Sequence, residues 1–263
     1  MTDLSVDKLF SLHGTCAVII GGAGKIGFPM AQALGEAGAG VVIASRSAKN
    51  YDPAVKILKS SGIDAIGVRL DQGNEDSVKN CIQVAFDHFN RPPNILINCG
   101  VERPMEKFFD DTVDNWDKSM VSNARGLFVT CREFARSMSA NGGGSIINVA
   151  SIYGVVAPDP ALYLGTSFET EPDYPYTKGG MVMFSKYLAS KFAKKNVRVN
   201  VIAPGGFFNN QGEPFLTQYC NKVPMGRMAN HNDMKGPAVF LASQASSYIT
   251  GAVLSVDGGF TII

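Results

Sequence analysis

Short apolar runs rich in β-branched residues alternate along the chain with longer segments of helical period, and this alternation constrains the fold most strongly. The short runs predict seven strands, and the longer segments predict helices between them. Strands that alternate with helices form a parallel sheet that is covered on both faces. The sequence therefore predicts an α/β fold, with about seven strands in a doubly wound parallel sheet and helices on both faces.

The predicted elements extend over the whole chain without an obvious boundary. The predicted strands are 17–20, 41–44, 65–70, 95–98, 145–149, 197–202 and 253–256. The predicted helices are 26–39, 53–60, 75–89, 114–140, 174–195 and 232–243. Since no repeat or low-complexity linker divides the chain, we expect a single domain over residues 1–263. Two irregular segments, near 155–173 and 205–222, are longer than ordinary connections and are expected to contact substrate.

Charge and cysteine content exclude several classes of function. The chain has 24 Lys and Arg against 23 Asp and Glu, without a basic cluster, so nucleic acid is not an expected partner. Its five cysteines are scattered and form no CxxC pair, which argues against a disulfide framework and against a metal site. Residues 1–14 lack the apolar core of a signal peptide, and no apolar run is long enough to span a bilayer. We therefore expect a cytoplasmic protein with no membrane partner.

A glycine-rich turn follows the first predicted strand. Gly21 and Gly24 would let the backbone turn sharply and approach a pyrophosphate, and Gly27 would let the next helix pack against the strand. A lone glycine pattern is weak evidence, because a tight turn between a strand and a helix needs glycine for steric reasons alone. Its position after the first strand of an alternating α/β chain favours a Rossmann-type dinucleotide site.

The end of the second predicted strand indicates which dinucleotide is bound. An NAD-selective site usually carries an acidic residue here for the ribose diol, whereas this chain has Ser45 and Arg46. Arg46 can pair with a 2′-phosphate, with help from Ser45 and Lys25, so NADP(H) is favoured over NAD(H). The alternative is that Arg46 is a solvated loop residue that stacks on adenine without selecting the cofactor.

A tyrosine and a lysine four residues apart, Tyr174 and Lys178, open the fifth long helix. Residues four apart lie on one helix face, so the phenol and the ammonium can serve the same pocket. A nearby cation stabilises the phenolate, which lets tyrosine exchange a proton with a substrate oxygen. By itself such a pair occurs often by chance on a helix surface.

Further landmarks accompany this pair in a fixed order. They are Asn-Cys-Gly at 98–100, Asn-Ala-Arg-Gly at 123–126, Asn-Val-Ala-Ser at 148–151, Ala-Pro-Gly at 203–205, Tyr-Ile-Thr-Gly at 248–251 and Val-Asp-Gly-Gly at 256–259. Together with the glycine turn, they resemble the short-chain dehydrogenase/reductase family from end to end. The resemblance implies a nicotinamide-dependent oxidoreductase that is usually a homodimer or homotetramer.

The resemblance also implies roles for individual residues. Tyr174 would be the general acid/base, Lys178 would orient the nicotinamide ribose and lower the pKa of the tyrosine, and Ser151 would donate to the substrate oxygen. Asn123 would hold a water in the proton relay, although it could also be a buried polar residue that bends a helix. The implied cofactor residues are Gly21, Gly24, Lys25, Ile26, Gly27, Ser45, Arg46, Asp71, Asn98, Gly100, Tyr174, Lys178, Pro204, Gly205 and Phe207. For Asn98 the alternative is a cap at the end of a strand.

The sequence departs from the short form of the family in two places. Lys25 stands where the short form usually keeps a glycine, and Ser151 and Tyr174 are farther apart than in the short form. Both features resemble the extended branch, but the chain has no room for a separate substrate domain. Tyr163 lies nearer the usual spacing, yet it lacks a lysine four residues later, so Tyr174 is favoured.

The enlarged segments carry polar groups that could bind a sugar or polyol. These are Asp159, Tyr163, Thr166, Glu169, Glu171, Asp173, Asn209, Asn210 and Gln211. A solvated acidic loop explains them equally well. The expected function is NADP(H)-dependent interconversion of a carbonyl and a secondary alcohol on a small-molecule substrate, for which a sugar or polyol is one candidate class. The alternatives are a sugar dehydratase or epimerase without net redox change, and a non-catalytic dinucleotide-binding protein.

Overall fold

A single parallel sheet of seven strands organises the computed structural model, which describes residues 4–263. The strands are β1 Cys16–Ile20, β2 Gly40–Ser45, β3 Ala65–Arg69, β4 Ile95–Asn98, β5 Gly144–Val149, β6 Val197–Pro204 and β7 Val253–Val256. Their order across the sheet is β3-β2-β1-β4-β5-β6-β7. In the centre, Val18 is paired with Val42 on one side and with Leu96 on the other. The predicted number, direction and location of the strands are confirmed.

Helices cover both faces of this sheet. They are α1 Val6–Phe10, α2 Gly27–Glu36, α3 Ala48–Ser60, α4 Glu75–Phe89, α5 Val113–Ser119, α6 Gly126–Ala140, α7 Asp173–Phe192, α8 Phe215–Lys222 and α9 His231–Ala242. Because successive side chains of a strand point to opposite faces, Val18 packs in the core beneath α4, α6 and α7, whereas Ile19 packs beneath α2 and α9. The central strands are buried on both faces, which explains their continuous apolar runs.

The observed helices differ from the predicted ones at α3, α1 and α8. Helix α3 begins at Ala48 rather than at residue 53, so Pro53 lies inside it. Helices α1 and α8 were not predicted, and α8 lies within the segment 205–222 that was expected to be irregular. Each of them is short, and α8 buries only Phe215 and Tyr219, which leaves a weak periodic signal.

The predicted helix 114–140 is continuous but changes its geometry in the middle. Between α5 and α6, residues Met120–Arg125 form a π-helical segment. Such segments are rare and often mark functional sites. Asn123 is its one buried residue.

Several global features concern only the part of the chain that the structure describes. No helix in residues 4–263 is long and apolar enough to cross a membrane. No group of three or more His, Cys, Asp or Glu residues in that range is arranged to bind a metal ion. All five cysteines are free. The first three residues of the N-terminal segment 1–14, and of the predicted domain 1–263, lie outside the described residues.

The order of the strands reverses at β1, which has β2 on one side and β4 on the other. Connections leave in opposite directions at such a point, so a crevice opens beyond the carboxyl ends of the strands. The glycine-rich turn and the end of β4 both lie at this crevice.

Candidate active site

The glycine turn allows β1 and β4 to end side by side. Gly21 has a φ of +74°, and a Cβ atom there would lie 2.7 Å from the backbone nitrogen of Gly100. A Cβ atom on Gly27 would overlap the carbonyl oxygen of Gly21, so a side chain there would push α2 off the turn. Because these two glycines have no side chains, the backbone can turn tightly at the switch point, and the crevice beyond the ends of the strands has room for a ligand.

A first cleft of about 1090 Å³ lies beyond the ends of β1, β2, β3 and β4. Six of the predicted cofactor residues line it, namely Gly21, Gly24, Ser45, Arg46, Asp71 and Gly100. We call it the dinucleotide cleft. The Asp71 carboxylate accepts a hydrogen bond from the backbone of Gly73 at 3.0 Å, which fixes the loop after β3.

Arg46 stands at the mouth of the dinucleotide cleft and is paired across it. Its guanidinium lies 3.2 Å from the carboxylate of Glu102, and its side chain is 66% exposed. Glu102 lines the same cleft and was missed by the sequence analysis, because nothing in the sequence indicates that the loop after β4 reaches back to β2. The pair leaves Arg46 within the cleft but partly neutralised.

Other predicted cofactor residues do not line the dinucleotide cleft with their side chains. The Asn98 amide is buried and donates to Asn148 at 2.7 Å, so it joins β4 to β5 inside the core. Lys25 is exposed, whereas Gly27 and Pro204 are buried at the start of α2 and the end of β6. The structure therefore does not bring the Asn98 amide into the cleft, and the expected role of Asn98 in binding the cofactor stays a prediction.

A second cleft, of about 680 Å³, contains the predicted reactive groups. Ser151 and Tyr174 line it together with three predicted cofactor residues, Ile26, Gly205 and Phe207. We call it the substrate cleft. Gly24 lines the dinucleotide cleft and Ile26 lines the substrate cleft, so the glycine turn borders both.

Lys178 is held beneath Tyr174 by α7 and β5. Its Nζ donates to the carbonyl of Val149 at 2.7 Å and lies 5.6 Å from the centroid of the Tyr174 ring. Lys178 is buried, so its ammonium lies beside the Tyr174 ring away from bulk water. The structure brings the two side chains together, as their spacing predicted, and the catalytic roles expected of them stay predictions.

Ser151 begins the short 3-10 helix Ile152–Gly154 that follows β5. Its Oγ accepts from the backbone of Tyr153 at 3.2 Å, which fixes the hydroxyl at the floor of the substrate cleft. No acceptor in residues 4–263 takes the hydroxyl proton, so it can be donated to a ligand. This geometry suits a donor to a substrate oxygen.

Asn123 contacts the protein backbone rather than either cleft. Its Nδ2 donates to the carbonyl of Glu102 at 2.7 Å and to Ser119 at 3.0 Å, and its Oδ1 accepts from the nitrogen of Glu102 at 2.9 Å. The π-helical segment thus holds the loop that carries Glu102. The expected role of Asn123 in a proton relay stays a prediction.

Tyr163, the other candidate, lines the same cleft but has a different environment. Its hydroxyl lies 2.8 Å from that of Tyr153 and 2.6 Å from Thr170 Oγ1. Burial, followed by the bond to Tyr163, raises the pKa of Tyr153 far above the ordinary range, so Tyr153 remains a neutral hydroxyl. The Tyr163 hydroxyl therefore belongs to a chain of hydrogen-bonded hydroxyl groups, whereas the Tyr174 ring lies beside the Lys178 ammonium.

The segment 155–173 is not a uniformly solvated acidic loop. Asp159 forms an ion pair with Lys222 of α8, and Glu171 and Asp173 are buried, at 5% and 1% exposed. Glu171 lines the substrate cleft. Burial is the largest of the effects that raise the pKa of Glu171.

Other polar residues of the two enlarged segments are less buried. The Thr166 hydroxyl donates to the carbonyl of Tyr163 at 2.8 Å. Glu169 and Gln211 line the substrate cleft, whereas Asn209 and Asn210 are exposed.

Arg103 is a cleft residue that sequence reasoning missed. Its guanidinium carbon lies 4.4 Å from the centroid of the Tyr174 ring, and the residue lines the substrate cleft. Stacking of this kind is favourable and places a second cation near the tyrosine. No sequence pattern indicates this contact, because Arg103 lies 71 residues before Tyr174 and belongs to no recognised motif.

Comparisons with known proteins agree with this architecture. The family model described as enoyl-(acyl carrier protein) reductase matches residues 21–261. Gluconate 5-dehydrogenase of Gluconobacter oxydans is 32% identical over 98% of this chain and 99% of its own length. Galactitol 2-dehydrogenase (L-tagatose-forming) of Cereibacter sphaeroides is 31% identical over 97% of this chain and 98% of its own length.

A solved structure of a related enzyme has the same fold. The crystal structure of a gluconate 5-dehydrogenase from Burkholderia cenocepacia, in complex with NADP and tartrate, has a TM-score of 0.87 and 28% identity, and the match covers 98% of this chain and 100% of that one. The doubly wound parallel sheet of seven strands is the fold that the resemblance predicted. The chain belongs to the short-chain dehydrogenase/reductase family and is an oxidoreductase that acts on CH–OH groups.

Proposed function

We propose that this protein interconverts a ketone and a secondary alcohol on a sugar-like or polyol substrate, with NADP(H) as its dinucleotide. The observation that carries this proposal is the meeting of Ser151 and Tyr174 in one cleft, with the buried Lys178 ammonium 5.6 Å from the tyrosine ring. The two relatives described above, a gluconate 5-dehydrogenase and a galactitol 2-dehydrogenase, support the substrate class.

The residues present fit a nicotinamide dinucleotide. The backbone of Gly21 lies so close to Gly100 that a Cβ atom would not fit between them. Because no side chain projects there, the dinucleotide cleft is open to a pyrophosphate. Arg46 offers a guanidinium where a 2′-phosphate would be bound, and no acidic residue follows β2 directly. A bound NADP(H) would accept or supply the hydride.

The protein's own groups would handle the proton and the substrate oxygen. The Tyr174 hydroxyl gives its proton to the developing alkoxide during reduction, and in the reverse direction the Tyr174 phenolate takes the proton of the alcohol. The Lys178 ammonium favours the phenolate, which lowers the free energy of that transfer. The Ser151 hydroxyl donates a hydrogen bond to the same oxygen, and Asn123 would hold a water that returns the proton to solvent.

The experiment that tests the proposal compares two tyrosine variants. Purified protein is mixed with NADPH and a panel of ketoses, and consumption of NADPH is followed by absorbance. We expect Tyr174→Phe to lower kcat by a factor on the order of 10²–10⁴, because the proton donor is lost, while NADPH still binds. Tyr163→Phe removes an equivalent hydroxyl from the same cleft without removing the tyrosine beside Lys178, and it should retain most of the turnover.

Three results would contradict this assignment. Loss of turnover in Tyr163→Phe with retention in Tyr174→Phe would show that the wrong tyrosine was chosen. Conversion of a sugar without net NADPH consumption would identify a dehydratase or epimerase instead. Absence of NADPH binding would remove the cofactor assignment.

We also propose that the protein is a homodimer or homotetramer and that it acts in the cytoplasm. Phe128 of α6 and Met183 and Tyr187 of α7 are large apolar residues that are exposed in the isolated chain, which supports an interface along these helices. The five free cysteines are consistent with a reducing compartment. Sedimentation equilibrium measures the mass, and a monomer of 28.1 kDa would contradict the first part.

A further inference from the structure

The substrate cleft contains a buried carboxylate that the proposed proton transfer does not use. Glu171 is 5% exposed, and its Oε1 atom is buried without a hydrogen-bond partner among the described residues. A desolvated carboxylate oxygen without a donor is costly in free energy. Its presence in the wall of a cleft therefore indicates a ligand that supplies the missing donor.

The charges around Glu171 restrict the chemistry of that ligand. The carboxylates of Glu169, Asp111 and Asp173 raise the pKa of Glu171 further, whereas Arg103 lowers it. Asp173 is 1% exposed and also has a buried oxygen, Oδ2, that lacks a partner within residues 4–263. A carboxylate on the substrate would add a further negative charge to this acidic group, so an uncharged ligand with several donors fits better.

An aromatic cluster forms the apolar part of the same cleft. The rings of Phe168 and Phe215 have centroids 5.2 Å apart, and the ring of Tyr163 lies 5.6 Å from that of Phe215. All three residues line the substrate cleft. A carbohydrate chain presents C–H groups that can contact such rings and hydroxyl groups that can donate to a carboxylate.

Resting on the function proposed above, we infer that Glu171 accepts hydrogen bonds from the hydroxyl groups of an uncharged polyhydroxylated substrate, an alditol or ketose, and selects it over sugar acids. The enlarged segment 155–173 supplies this specificity-determining residue. It acts on substrate recognition rather than on proton transfer, which belongs to Tyr174. Such a preference would distinguish the protein from the relative described above as a gluconate 5-dehydrogenase.

The test compares alditols with a sugar acid. The kcat/KM values of the wild-type protein are measured with NADP+ and galactitol, sorbitol, mannitol or D-gluconate. We expect the best alditol to exceed gluconate. Glu171→Gln should lower kcat/KM for that alditol by about tenfold or more, mainly through a higher KM, because the neutral amide is a weaker acceptor than the carboxylate. The value for gluconate should change less or rise.

Glu169→Gln is the matched comparison. Glu169 lines the same cleft but is exposed, so Glu169→Gln removes the same charge without removing a buried acceptor, and it measures the electrostatic part of the effect alone. We expect it to change the ratio of alditol to gluconate much less than Glu171→Gln does. Without substrate, Glu171→Gln should also raise Tm, because an unpartnered buried carboxylate is removed; this combination of higher Tm and lower kcat/KM is not expected of a purely structural residue.

The possible failures are distinguishable. Failure to bind NADPH or to turn over any ketose or alditol would overturn the proposed function and this inference with it. Turnover in which gluconate is preferred, or in which Glu171→Gln and Glu169→Gln have the same effect on the ratio, would overturn the inference alone. Turnover limited to substrates without hydroxyl groups beyond the reacting one would also overturn it.

Discussion

At the scale of single residues, the pairing of Arg46 with Glu102 bears on the choice between NADPH and NADH. A guanidinium that binds a 2′-phosphate contributes only to NADPH affinity, because NADH lacks that group. We expect Arg46→Ala to raise the Kd of NADPH by about tenfold or more, since hydrogen bonds to charged groups are strong. The Kd of NADH should change far less. Fluorescence titration of both dinucleotides measures the two values.

Substitution of Glu102 should change the Kd of NADPH in the opposite direction. Glu102→Gln should release Arg46 from its partner 3.2 Å away and lower the Kd of NADPH by a few-fold at most, because the ion pair is exposed. The Kd of NADH serves as the internal control for both variants. An equal loss of affinity for both dinucleotides in Arg46→Ala would favour the alternative in which Arg46 only stacks on adenine.

At the scale of elements, a buried chain of hydrogen bonds ties β4, β5 and α7 together beneath the site. Asn98 donates to Asn148 at 2.7 Å, and Asn148 donates to Ser185 at 2.8 Å. Ser185→Ala would leave the Asn148 amide without its acceptor, and we expect a loss of about 1–3 kcal/mol in the free energy of unfolding. Urea denaturation measures it. Ser190→Ala, on the exposed side of the same helix, is the control and should cost little.

The contacts of Asn98 illustrate which features of the site cannot be predicted from the sequence. Short-range periodicity in the sequence predicts the strands and their positions along the chain. It also predicts that Tyr174 and Lys178 share one face of a helix. The contacts of Asn98 with β5, of Arg46 with Glu102 and of Arg103 with Tyr174 join residues that are distant in sequence. No local pattern encodes them, because they depend on how the loops after the strands fold over the sheet.

The π-helical segment and helix α8 were not predicted from the sequence for a related reason. The π-helical segment at Met120–Arg125 and the short α8 change the apolar periodicity by only one turn. The burial of Glu171 could not be predicted either, because an acidic residue between two irregular turns is usually solvated. The sequence therefore predicts which segments contain the site, while the structure decides which of their polar groups enter the clefts.

At the scale of the whole molecule, the buried Glu171 carboxyl makes stability depend on pH. Burial, followed by the neighbouring carboxylates, raises its pKa above the ordinary value of 4.5. The folded protein therefore holds this proton more tightly than the unfolded chain does. The resulting stabilisation is fully present below the unfolded pKa and is lost as the pH rises through the raised folded pKa.

Glu171→Gln isolates this contribution, because the amide does not titrate. We expect the free energy of unfolding of the wild type, minus that of the variant, to fall as the pH rises from about 4 towards neutrality and then to level off. Urea titrations of both proteins at a series of pH values measure the difference. The same subtraction with Glu169→Gln serves as the comparison, because this variant removes an exposed carboxyl group two residues away. A flat difference for Glu171→Gln would show that this carboxylate is solvated in the folded protein and not buried in the substrate cleft.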